Sequence, residues 1–217
     1  MRYGLIETFD ELVTVVGDTP LDLTETKLAI RSHTSADDSL VSSWITASGE
    51  DFQEETGRQL ITARRYFWLE CFPLARKIEL PRPPLQEVEA VEYYNSDGTL
   101  VSFGDGASPE VPSWIYTASP TDPHGRRGFV ELKDGFNWPA TQVRALAVRI
   151  QYLCGYGNAH TDIPDLIKSV LRAKVSDRNR LRGGITETQP YAVESQSRVI
   201  QAFKYSALPS LVPRRYL

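Results

Sequence analysis

The chain is poor in the residues that most catalysis and metal binding draw on. It has two cysteines and three histidines in 217 residues. Cys71 and Cys154 lie far apart, with no CxxC or CxxH company, and read as two reduced, half-buried thiols. His33, His124 and His160 are scattered over expected loops and lack zinc-ligand spacing. His160 stands near Asp162 and Asp165, but a helix start accounts for both aspartates, so no metal is expected. GxSxG, P-loop, GxGxxG and HExxH motifs are missing, which leaves no expected cofactor and no expected enzyme. No apolar run approaches the roughly 20 residues that a spanning helix needs. Met1 to Asp10 has no apolar stretch behind a basic start, so a cytosolic chain with no membrane partner is expected. Positive charge is not in excess either. The 24 Lys and Arg against 28 Asp and Glu leave a net charge of −4, which argues against a surface that grips nucleic acid throughout.

What is present is a globular composition, 41% hydrophobic and 24% charged, enough for a sizeable core. Residues 1–22 are weakly patterned, and Val13, Val15 and Leu21 suggest an extended arm that pairs or docks. A short helix should begin at Leu23 and end near Arg31, capped by Thr24, with Leu23 and Leu28 as a hydrophobic staple. A second helix should start around Ser35 to Asp38 and span about 37–56. Its apolar residues are Leu40, Val41, Trp44, Ile45, Ala47 and Phe52, and Gly57 should follow its last turn in left-handed geometry.

From Gln59 to Leu153 the pattern is short strands broken by turns. Strand candidates are Tyr66–Leu69, Val88–Tyr94, Leu100–Phe103, Trp114–Thr117, Gly128–Leu132 and Arg144–Leu153. Asp97-Gly98 is a hairpin signal. Leu146, Val148, Ile150 and Tyr152 alternate with Arg149 and Gln151. After the Gly155-Tyr156-Gly157 turn, Asp162 should cap a third helix whose core stripe is Ile163, Leu166, Ile167, Val170, Leu171 and Ala173. Lys168, Arg172 and Arg182 fall on its opposite side. A last helix is expected over Glu194–Ser206, then an extended tail through Pro209 and Pro213. The fold class is therefore α+β. It combines a bundle of about four helices (23–58 and 158–206), an inserted small antiparallel sheet or sandwich (59–157), an N-terminal arm (1–22) and a C-terminal tail (207–217).

Some tempting features carry no chemistry. Glu54 and Glu55 are adjacent on a helix and point apart. Arg64 and Arg65 alternate across a strand, one to each face. Trp44, Trp68, Trp114 and Trp138 read as core or interface residues.

The order of these pieces resembles a known family. LDLTETKLAIR, SADDSLVSSWITASGEDFQEETGRQL, IELPRPPLQEVEAVEYYNSDGTL, FNWPA, a strand ending in CGYG, and DIPDLIKSVLRAKV follow one another as in the head-tail connector, or adaptor (head-completion), proteins of long-tailed bacteriophages. The likeness covers roughly residues 21–182. It implies a structural subunit of the phage neck, forming a ring of about twelve copies beneath the portal. That ring joins the DNA-filled head to the tail and gives DNA its exit channel. The implied partners are the portal, a stopper (head-closure) or tail protein, other copies of the chain, and DNA that passes without specific binding. The implied location is the virion neck, assembled in the host cytoplasm. The tail fits a portal contact. Its ten residues from Leu208 to Leu217 can reach about 33–36 Å when extended. Leu211, Val212, Tyr216 and Leu217 would supply burial there, and Arg214 and Arg215 would pair with carboxylates. Lys168, Arg172 and Arg182 are the candidates for a subunit interface. A rival reading makes the β region a module for a peptide or glycan, with Trp114 and its long loop at the site. A third is a hydrolase or nuclease dependent on His160.

Overall fold

The computed structural model describes residues 7–104, 113–118 and 127–182. The expected helix over 194–206 and the tail lie outside them. Among the described residues there are three α-helices: α1 (Leu23–Ala29), α2 (Asp38–Thr56) and α3 (Asp165–Arg182). Each of α1, α2 and α3 touches the other two, and the fourth helix of the expected bundle falls outside the described residues.

Local chemistry sets each helix end. Asp22, not Thr24, caps α1. Its carboxylate accepts the Glu25 N–H at 2.8 Å, so the helix begins at Leu23 as expected while its cap lies two residues before Thr24. The shift breaks the expected staple, and Leu28 is 65% exposed. A 3-10 turn at Ser35–Asp37 leads into α2, which ends on Gly57 at φ 68°, as the sequence requires. Asp162 does not cap α3. It accepts the Ala159 N–H at 3.0 Å and closes its own 3-10 turn, His160–Asp162. The core stripe of the α3 region is Ile163, Ile167, Val170, Leu171 and Val175. Leu166 lies one position off that stripe and is 55% exposed.

The strands build two antiparallel sheets. Five strands are ordered β1 (Thr8–Val15), β2 (Ala63–Leu69), β8 (Val148–Cys154), β4 (Leu85–Tyr94) and β5 (Leu100–Ser102). Three more are ordered β3 (Lys77–Glu79), β7 (Phe129–Leu132) and β6 (Trp114–Thr117). In β2 and β8 burial alternates strictly, so Phe67, Leu69, Val148, Ile150 and Tyr152 face inward. Leu146 sits at φ 56° ahead of β8 and does not extend the alternation. The Asn95–Gly98 turn joins β4 to β5 with Gly98 at φ 77°. One core joins both sheets and holds Ile78, Leu85, Val91, Trp114, Val130 and Ile150. A second core joins the helices to Leu60, Ile61 and Tyr156 at the foot of the sheet. The two meet where the chain passes Ile61 and Gly155. Gly155 has φ 125°, and a Cβ there would lie 2.7 Å from the Ile61 carbonyl. Only glycine fits.

Candidate functional site

The long helices carry opposite charges on facing sides. On α3, Lys174, Arg178 and Arg182 recur every fourth residue, so they form one rail. Lys174 Nζ lies 2.8 Å from Glu55, Arg178 pairs with Asp51, and Arg182 lies 2.9 Å from Asp37. Arg172 reaches Glu25 of α1 at 2.5 Å, and Lys27 of α1 pairs with Asp38 of α2. Lys168 pairs with Asp165 one turn back, at 2.8 Å. The Lys168 ammonium holds the Asp165 carboxyl below its ordinary value. All three cations singled out on this helix, Lys168, Arg172 and Arg182, therefore have carboxylate partners inside the chain. The tail residues Leu211, Val212, Arg214, Arg215, Tyr216 and Leu217 lie outside the described residues.

The edge strand β1 is latched to the body by one carboxylate. Asp10 points inward opposite Phe67 and meets Arg65 Nη2 at 2.7 Å, Arg82 Nε at 3.4 Å and the Tyr152 hydroxyl, which donates at 2.8 Å. Arg65 also donates to Gln59 Oε1 at 3.3 Å, and Arg82 to the Gln53 carbonyl near the end of α2 at 3.1 Å. Burial opposes the charge on Arg65, but the Asp10 carboxylate outweighs it and the guanidinium is held above its ordinary value. Burial pushes the Tyr152 phenol well up, and Asp10 adds to the effect. The latch thus ties β1, the central strands and α2 together.

The opposite face of the sheet is a lattice of ion pairs and rings. Arg64 clasps Glu89 with two bonds, at 2.9 and 2.6 Å, and Arg149 meets Glu92 at 2.7 Å. The Arg149 guanidinium stands 4.8 Å from the Tyr66 ring centre, and Trp68 Nε1 donates to Glu11 at 2.9 Å. Glu89 pays some desolvation, yet the Arg64 bond leaves its carboxyl below the ordinary value. Beside β1, an open groove of about 200 Å³ runs between Val15, Pro20, Gly49, Glu50, Leu60 and Ile61.

These arrangements hold parts of the chain together. The Cys154 thiol is fully buried, not half-buried as expected, and burial pushes it far up, away from the thiolate that a nucleophile needs. Among the described residues no group of three or more His, Cys, Asp or Glu side chains could hold a metal ion, and no helix is long and apolar enough to cross a membrane. The latch escaped sequence reasoning, which read Arg64 and Arg65 only as alternating. Its one local signal is an arginine on the inward side of an otherwise apolar strand.

No protein family and no curated protein matches the chain by sequence. Solved structures do match by shape. A chain in the neck of an empty gene transfer agent particle, computed with C6 symmetry, superposes with a TM-score of 0.73 at 19% identity, covering 95% of this chain and 99% of that one. A chain of the native gene transfer agent virion gives 0.72 at 18% identity, covering 94% and 98%. A chain of the native neck, computed with C12 symmetry, gives 0.65 at 19% identity, covering 95% and 99%. Nearly end to end, then, this α+β chain has the fold of a component of gene transfer agent necks.

Proposed function

We propose that the chain is a structural subunit of the neck of a tailed-phage-like particle. In this reading it is an adaptor: copies close into a ring, twelvefold as in the C12 neck, beneath the portal. The ring joins the DNA-filled head to the tail and leaves a channel for DNA. The observation that carries the reading is the match of nearly the whole of both chains to a neck component. Charge supports it. The basic rail of α3 is neutralised by acids of the same subunit, so it offers no free cationic track to retain DNA in transit.

Leu211, Val212, Arg214, Arg215, Tyr216 and Leu217 are the proposed portal contact, and a stopper or tail protein is the proposed partner on the far side. At subunit boundaries, Lys168, Arg172 and Arg182 would act by exchanging their own acids for those of the next copy. Assembly would occur in the host cytoplasm and the finished subunit would reside in the virion neck. Electron microscopy of the chain mixed with its portal tests the reading. A ring stacked on the portal is the expected image, and two components that never associate at any concentration would overturn it.

A further inference from the structure

We infer that the outer edge of β1 seats a second copy of this chain, which presents the outer edge of β6. The inference rests on the ring reading and names the surfaces that close the ring. Strand β1 ends the five-stranded sheet and β6 ends the three-stranded sheet, so among the described residues neither has a strand on its outer side.

The β1 edge is long and apolar. Phe9, Leu12, Val13, Val15 and Val16 are 42–53% exposed. Five such side chains in nine residues leave a patch of a few hundred Å², the size at which an exposed apolar surface marks an interaction site. Proteins that keep an edge strand free usually blunt it with lysine, proline, a β-bulge or a free inward charge. The segment Thr8–Val16 contains neither lysine nor proline. Asp10 is consumed by the latch, and Glu11 accepts from Trp68. The one irregularity, between Leu12 and Thr14, turns out Val13, which is itself apolar. The latch meanwhile ties the strand to β2, β8 and Arg82, so the edge is held against the body of the subunit.

A second copy is the occupant because the chain carries the matching surface. A ring of identical subunits needs two different, complementary patches on each. On β6, Ile115 and Tyr116 are 49% and 39% exposed, and Trp114–Thr117 holds no charged residue to clash with an apolar strand. Strand β6 packs against β4, which stands three positions from β1. At about 4.8 Å per position β4 stands roughly 14 Å from β1, and β6 lies beyond it in the other sheet, so the two edges belong to different parts of the subunit. They therefore face different neighbours, as head-to-tail closure demands. A few hundred Å² per copy is on the order of half of one partner's share in a standard interface, so helical contacts would add the remainder.

Two experiments on the full chain decide it. In the first, Leu12→Lys/Val15→Lys and, separately, Ile115→Lys are compared with the unsubstituted protein by mass photometry, alone and with portal. Folding of each variant is checked by its thermal melt. Self-association at least tenfold weaker in both variants is expected. In the second, copies with Val13→Cys are mixed with copies with Ile115→Cys, all in a Cys71→Ser background, and oxidised. A covalent dimer is expected only in the mixture. Rings that form normally in the lysine variants, or rings that form without the mixed cross-link, would overturn the edge assignment and leave the ring reading standing. Lysine variants that make rings but lose a stopper or tail protein would assign the edge to that protein and overturn the inference. Unsubstituted protein that never assembles, even on portal, would overturn the ring reading itself.

Discussion

Asp10 and Arg65 stand 55 positions apart in the chain and meet as a nearly buried ion pair, with Arg65 Nε 2.9 Å and Nη2 2.7 Å from Asp10 Oδ2. Both lie on the inward face of the sheet, and Tyr152 and Arg82 complete the contacts of the carboxylate. This pair fixes the first strand to the rest of the molecule.

Removing one partner should cost more than removing both. Asp10→Asn leaves the Arg65 guanidinium buried without a counter-charge, and a loss of about 3 kcal/mol is expected. The double variant Asp10→Asn/Arg65→Met should lose less than the sum of the two single variants. Urea unfolding of the four proteins measures the coupling, and additive losses would show that the pair does not act as a unit.

High pH should weaken the fold through Tyr152. Its folded pKa is raised, so the folded state holds the proton after the unfolded chain has released it. The stability tied to that proton is complete below the unfolded value near 10 and is lost as pH climbs above it. Tyr152→Phe should flatten this alkaline decline. A thermal-melt series from pH 8 to 11 checks the slope.

At the acid end the sign reverses for Glu89, whose folded pKa lies below 4.5. Its contribution is present above that pH and is lost as pH falls through the folded value. Glu89→Gln should shrink the difference in melting temperature between pH 6 and pH 3, measured by calorimetry.

The crossing of Ile61 and Gly155 tolerates no side chain. Gly155→Ala puts a Cβ 2.7 Å from backbone atoms at φ 125°. A loss of at least about 2 kcal/mol is expected from strain and displacement together, read as a lower urea midpoint. Gly57→Ala meets no neighbour within 4 Å and should cost less.

The tail predictions concern assembly. Deletion of Leu208–Leu217 should leave a folded monomer that no longer attaches to the portal, and Arg214→Glu/Arg215→Glu should weaken the same contact. Co-sedimentation with portal measures both. Normal attachment by the truncated chain would remove the tail from the portal contact.

The sequence by itself determined whatever depends on neighbours in the chain. Helix α2 and its end at Gly57 follow from an apolar period and a residue free to take φ 68°. Strand β8 follows from alternation, and the β4–β5 turn from Asp97-Gly98. The α1 cap lay two residues before the expected Thr24, at Asp22. Tertiary structure alone decided which charges meet. The spacing of Lys174, Arg178 and Arg182 showed a rail, but only the packing of α2 beside α3 made Glu55, Asp51 and Asp37 its partners. In the same way the arm became an edge strand with a half-buried carboxylate because β2 supplied both the ladder and Arg65. Periodicity records which face of an element is apolar. It does not record which distant element will cover that face, since that choice depends on how the whole core closes.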